Sequence, residues 1–129
     1  MGVWFVTPQI VRLPLSDQQW IDVKGELTAG EERAMFAAMG NVSPTMRLAG
    51  SGVREQWIVA YVLGWSLTDE DGRPVAFSAG ALDALRGDRL AELWDAVNAH
   101  DERVRGARDE EKKTRAGSSP LRPNSPSPA

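Results

Sequence analysis

Residues 52–67 read GVREQWIVAYVLGWSL, and the rest of the chain is organised around this stretch. Its inner part, residues 57–65, has nine positions without a charge, and only Tyr61 and Gly64 interrupt the apolar side chains. Taken as a helix it is hydrophobic on every face, and such a helix belongs in a protein core or a membrane. Nine residues fall far short of the roughly 20 that span a bilayer, so the core is the expected place. Every other element should then cover this one. Residues 53–56 are amphipathic enough to reach the surface, and Gly64 is an expected point of close approach.

Working outward toward the N-terminus, residues 3–6 are a short β-prone run closed by Thr7-Pro8. Residues 10–15 and 20–23 are two further runs separated by Ser16-Asp17-Gln18-Gln19, which is a hairpin signature. Ile21 and Val23 alternate with Asp22 and Lys24, as on a strand with one buried face. The loop is too long for a two-residue turn and has no Gly. Pro14 cannot donate to a ladder, so its strand is expected at the sheet edge. Thr28-Ala29-Gly30-Glu31 is a capping box: hydroxyl and carboxylate can each satisfy a free first-turn N–H. It opens a helix over residues 29–39, with Leu27 as its staple and Met35, Phe36 and Met39 as its apolar edge. Gly40-Asn41 ends it. Residues 42–51 form a polar connection, with one helical turn after Ser43-Pro44.

Toward the C-terminus, residues 68–74 make a tight acidic turn in which Gly72 can take positive φ. A short extended piece, residues 75–77, leads to Ser78, the predicted cap of a short helix carrying Leu82 and Leu85. After a break at Gly87, Asp88 is placed to cap a longer helix. Leu90, Leu93, Trp94, Val97 and Val104 line one face of it at i, i+3, i+4, i+7 spacing. That amphipathic helix is the natural cover for residues 57–65. Residues 108–115 are charged throughout except for one Thr, and residues 116–129 are rich in Ser and Pro. Such a composition does not bury enough surface to offset its ordering entropy. The sum is an α+β, mostly helical single domain over residues 1–105 with an N-terminal β-hairpin. A disordered polar tail is expected over residues 106–129, with the last helix fraying between 105 and 113.

Composition narrows the chemistry. The 129 residues include no Cys, which removes disulfides, thiolate nucleophiles and sulfur-ligated metals. A net charge of −3 and a pI near 5.2 argue against a duplex nucleic-acid surface, which rests on phosphate neutralisation. The start MGVWFVTP lacks the basic region of a signal peptide, and no Ser or Thr follows Gly2 at the myristoylation spacing. A soluble cytoplasmic protein with no membrane contact is the expectation.

No constellation stands out as catalytic, cofactor-binding or metal-binding. His100 is the single histidine. It sits near an expected helix end among Asp95, Asn98 and Asp101, and reads as a surface or capping residue favoured by the helix dipole. A catalytic base would need a positioned nucleophile, and neither Cys nor G-x-S-x-G accompanies it. Asp69-Glu70-Asp71-Gly72 resembles part of a calcium loop. With Gly72 sixth, however, Leu67 and Ser78 fall where an Asp and a bidentate Glu are required. Gly50-Ser51-Gly52 lacks the Lys and preceding strand of a phosphate loop. Lys112, Lys113 and Arg115 are diluted by Asp109, Glu110 and Glu111. Trp57, Trp65 and Trp94 fall on core faces and Trp20 on a strand, whereas Trp4 is left for a partner contact.

The order of these signals resembles a known type. It runs from Trp20-Ile21-Asp22-Val23-Lys24 through Glu26-Leu27-Thr28-x-Gly30-Glu31 to an apolar helix ending Leu63-Gly64-Trp65-Ser66-Leu67. Asp71-Gly72-Arg73-Pro74-Val75, a Leu-rich helix with His100, and a Ser/Pro tail follow. Over residues 9–105 it is similar to the tail assembly chaperones of long-tailed bacteriophages, through a distributed pattern without an invariant motif. The resemblance implies a non-enzymatic protein in the host cytoplasm that binds the tape-measure protein and aids assembly of the tail-tube protein, with self-association open. It also implies a longer product made by programmed frameshift, for which Lys112-Lys113 suits a slippery codon pair and residues 114–129 would be the unshifted ending. The alternative is a phage structural protein, such as a head–tail connector or tail completion protein.

Whatever the function, Trp65 reads as a scaffold residue. Trp65→Asp is expected to unfold the domain by burying an unpaired charge. Native-like thermal unfolding of that variant would show that residues 57–65 are not the core.

Overall fold

A computed structural model describes residues 4–40 and 51–117. Strands β1 (Ile10–Pro14) and β2 (Trp20–Lys24) pair antiparallel, with Val11 opposite Val23 and Leu13 opposite Ile21. Side chains alternate across a strand, so these four share the inner face. Leu13, Ile21 and Val23 are buried. Ile10, Arg12, Pro14, Trp20, Asp22 and Lys24 share the outer face. The ladder is bracketed by Leu15 N–H donating to Gln19 O (2.8 Å) and Gly25 N–H donating to Gln9 O (2.9 Å). Odd positions of β1 therefore bond inward and even positions face the free edge. Pro14 is even, and its missing N–H costs the ladder nothing. Residues 3–6 were expected as a further β run, but the described residues 4–9 carry no strand.

Between the strands, Asp17 (φ 56°) and Gln18 (φ 61°) are both left-handed. Gln19 N–H closes the turn on Ser16 O at 3.1 Å. Turns of this hand match the twist of a hairpin and favour Asn or Gly, so an Asp-Gln pair hides the signal. The left-handed pair sits within a connection over residues 15–19, which is longer than a two-residue hairpin turn, as expected.

The capping box closes as read. Thr28 N–H donates to Glu31 Oε1 at 2.8 Å and Glu31 N–H to Thr28 Oγ1 at 3.1 Å, opening α1 (Ala29–Gly40). Leu27 and Met35 enter the core, while Phe36 stays half-exposed at the surface. Asn41 and the predicted turn after Ser43-Pro44 lie outside the described residues.

The organising stretch is not one helix. Helix α2 (Ser51–Tyr61) gives way without a loop to β3 (Val62–Trp65), which pairs antiparallel with β2. The sheet order is β1-β2-β3, so the hairpin gains a third strand. The physical reason is a tertiary one. Val62, Leu63 and Trp65 suit a strand as well as a helix, and the open edge of β2 offers a ladder. Register shifts between Asp22 and Val23, leaving Leu63 as the extra residue of a bulge. Two expectations fall with the helix. Residues 57–65 are not covered on every face, since Val59 and Leu63 are exposed. Gly64 has open space around it and receives no close neighbour.

The acidic turn forms as expected. Asp69 Oδ1 accepts from the N–H groups of Asp71 and Arg73, each at 2.9 Å, and Gly72 takes φ 80°. Residues 75–77 are not a strand. They are held to β3 by the Trp65 indole N–H donating to Val75 O and by Phe77 packed edge-on to Trp65 at 5.0 Å. Ser78 accepts from Ala81 N–H at 3.0 Å and caps α3 (Ala79–Asp83). Helix α4 (Gly87–Gly117) starts on Arg86 O, which places Asp88 inside the first turn rather than at the cap. There its carboxylate still suits the dipole.

Helix α4 does not fray near residue 105; it runs to Gly117, and the expected boundary at 105/106 falls inside it. Glu, Lys, Arg and Ala are strong helix formers, so the helix extends past the last apolar residue of its stripe. The expected tail beyond residue 117 lies outside the described residues. One core joins both layers: Leu13, Ile21, Val23 and Val62 of the sheet meet Ile58, Tyr61, Leu82, Leu93 and Val97 of the helices. Helix α2 packs against both α1 and α4. Among the described residues the result is an α+β single domain with a three-stranded antiparallel sheet and four α-helices.

Each left-handed non-Gly residue stores about 1–3 kcal/mol of strain. Gln18→Gly is expected to raise stability by about 1 kcal/mol, after the entropy that glycine adds to the unfolded chain. Chemical denaturation measures it. An unchanged or lower midpoint would mean that the Gln18 side chain makes up for its backbone.

Candidate functional site

His100 is not at a helix end and not on the surface. It is buried in the middle of α4, on the stripe that runs from Leu93 through Val97. Its Nε2 lies 3.0 Å from Lys24 O and 3.1 Å from Gly25 O. Both partners are carbonyl oxygens that only accept, so Nε2 carries the proton. The spacing Leu93, Val97, His100, Val104 held the signal, but it was masked by expecting the helix to end soon after.

Next to it, Asp101 is buried and accepts from Tyr61 O–H at 2.7 Å and from Arg105 Nε–H at 2.8 Å. Burial first, and then the Asp101 carboxylate, push the Tyr61 hydroxyl far above its ordinary pKa, so it stays a donor. Tyr61 also meets the His100 ring edge-on at 5.5 Å and stacks on Trp57 at 6.4 Å. Trp57 in turn takes Phe36 edge-on at 6.1 Å. The file ties α1, α2 and α4 to the end of β2. His100, Tyr61 and Asp101 are all buried, and each is hydrogen-bonded inside the fold.

A second polar cluster holds the strained turn. Glu92 accepts from Ser16 N–H at 2.6 Å and from Ser16 Oγ–H at 2.9 Å. Arg89 donates to Ser16 Oγ and, at 2.7 Å, to Asp17 Oδ2. These residues border a depression of about 220 Å³. A Ser beside a carboxylate invites a nucleophile reading, but hydrogen bonds from Ser16 hold the Glu92 carboxyl below the usual range. A general base serves best with a pKa near the working pH, so Glu92 is a weak one. The pair clamps a turn.

The exposed apolar side chains are more informative. Ile10 is 69% exposed on β1 and Leu63 48% exposed on the β3 bulge. They border a depression of about 560 Å³ together with Val6, Pro8, Lys24 and Glu31. Lys24 and Glu31 form an ion pair and also border a second depression of about 300 Å³ between α1 and α2. Ala34, Met35, Ala38 and Val59 line that one. Ala34 and Ala38 of α1 and Ala60 of α2 are small, which leaves this channel between the two helices. The outer sheet face also carries an ion pair: Arg12 pairs with Asp22 at 2.8 Å and lies 3.6 Å above the Trp20 ring.

Trp4, left for a partner contact, is 93% exposed, and Phe5 is 87% exposed. Among the described residues no group of three or more His, Asp or Glu is placed to hold a metal, and no helix is long and apolar enough to cross a membrane. The side chains of Lys112, Lys113 and Arg115 lie outside the described residues.

Glu31 sits at the junction of the two depressions, so its ionisation is the electrostatic variable of this surface. Lys24, and then the Thr28 N–H, hold its pKa below the ordinary 4.5. A lowered carboxyl pKa contributes stability that is complete above the unfolded value and is lost as pH falls through the folded one. Glu31→Gln keeps the capping geometry and removes the charge. It is expected to melt below the parent at neutral pH and to converge with it once pH falls below the lowered folded-state pKa of Glu31. A gap that persists in acid would show that the capping contact, not the ion pair, was lost.

Compared with known proteins, the chain matches no family model, no curated protein and no solved structure.

Proposed function

We propose that this protein is a non-enzymatic assembly chaperone of a long-tailed bacteriophage. It binds the tape-measure protein in the host cytoplasm and aids assembly of the tail tube. The observation that carries the reading is the ordered series of signals over residues 9–105, from the Trp20-Ile21-Asp22-Val23-Lys24 strand to the helix with His100. What the geometry adds is a means of binding. A tape-measure protein exposes long amphipathic helices before assembly, and the channel between α1 and α2 suits one apolar helix face. Val59 and Ala34 on its walls are exposed, and Ala38 is small enough to allow close approach. On the same reading, Lys112-Lys113 marks the slippery codon pair from which a longer product is made. A gene without a slippery heptamer and an overlapping frame would remove that part.

The alternative is a structural protein that stays in the particle, such as a head–tail connector or completion protein. Mass spectrometry of purified virions separates the two, since stoichiometric presence would overturn the chaperone reading. The direct test is co-expression with the neighbouring longest reading frame. The parent chain is expected to hold that product in the soluble fraction. The double variant Ala34→Glu/Val59→Glu should fail to do so while keeping its own fold. Equal solubility with and without the parent chain would sink the proposal.

A further inference from the structure

Trp4 and Phe5 are the two most exposed large apolar side chains among the described residues, at 93% and 87%. They stand on a segment that is neither helix nor strand, residues 4–9, whose root is fastened where Gly25 N–H donates to Gln9 O. A Cβ on Gly25 would come 3.1 Å from the Gln9 Cβ, so the root is packed closely. Beyond it the arm carries no charge: Trp4, Phe5, Val6, Thr7, Pro8. Val6 borders two depressions, one with Trp4 and Phe5 and one with Ile10 and Leu63. Each molecule thus presents an aromatic arm and, beside the arm's root, an apolar recess that its own Trp4 and Phe5 do not line.

We infer that the arm is exchanged between two copies of this chain, Trp4 and Phe5 of each filling the Ile10–Leu63 recess of the other. A surface that carries both a plug and its socket is self-complementary under a two-fold axis. Two aromatic residues per arm remove about 800 Å² from water over both arms, and the walls of the two recesses bring the total to about 1,000 Å², the lower bound of a specific interface. The sheet edges offer a second copy less. Pro14 removes one outward N–H from β1, and β3 is a four-residue strand interrupted by its bulge. An uncharged arm also enters a recess bordered by Lys24 and Glu31 without burying a new charge. The inference stands apart from the chaperone reading, whose channel lies between α1 and α2.

Sedimentation equilibrium across a concentration series tests it, with circular dichroism and melting as the check on folding. The parent chain is expected to dimerise. Trp4→Ala/Phe5→Ala and Leu63→Glu should each weaken the dimer at least about tenfold while leaving the fold intact, because truncating buried aromatic anchors is costly. Phe36→Glu, at a position 52% exposed on α1 and outside both depressions, should leave it unchanged. A parent chain that stays monomeric, an arm or Leu63 variant that dimerises normally, or a Phe36 variant that breaks the dimer would each overturn the inference.

Discussion

One turn of α4 joins the two layers of this domain. Strand β3 pairs with β2 only as far as Val62 opposite Val23, so the carbonyls of Lys24 and Gly25 pass beyond the ladder that would have used them. Buried carbonyls without partners are costly, and His100 supplies one proton to both. Asp101 follows it in sequence and faces α2, where Tyr61 donates to it, and Arg105 of its own helix completes its hydrogen bonds. Two adjacent polar residues thus fasten the same helix to the sheet and to its neighbour. A buried carboxylate is tolerable only with its partners in place, which ties the position of α2 to that of α4.

From that turn the charges of α4 are spent in two directions. Toward its start, Arg89 and Glu92 hold Ser16 and Asp17 and keep the left-handed hairpin turn in place. Toward its end, Arg105 and Arg108 reach Glu32, and Arg108 also reaches Glu26 at 2.8 Å and Leu27 O at 3.4 Å. Partly exposed ion pairs are each worth about 1 kcal/mol or less. Their effect here is positional: they set where the hairpin and α1 lie along a helix of 31 residues. Among the described residues the large apolar side chains left exposed are Trp4 and Phe5 on the arm, Ile10, Val59 and Leu63 at the recesses around Lys24–Glu31, and Phe36 on α1.

Much of this was legible in the residues because it is local. The capping box, the Ser78 cap, the Gly72 turn, the hairpin arms and the edge position of Pro14 each depend on groups within a few residues of one another. The apolar spacing of Leu93 and Val97 likewise marked the buried face of α4. The exposed arm was foreshadowed only as a Trp4 with no obvious place.

What local pattern determined, then, is the α+β class, the order of most elements and the inward faces of β2 and α4. Tertiary structure decided the rest. Residues 57–65 satisfy helix and strand equally, and the open edge of β2 selected a strand from Val62 onward. His100 reads as a surface residue until the helix around it is long enough to carry it under the sheet. Asp17 and Gln18 take a left-handed turn that their side chains do not announce, because Arg89 and Glu92, more than seventy residues away, hold it. In each case the deciding partner is distant in sequence and its contribution exceeds the small local preference, so only the folded chain could reveal it.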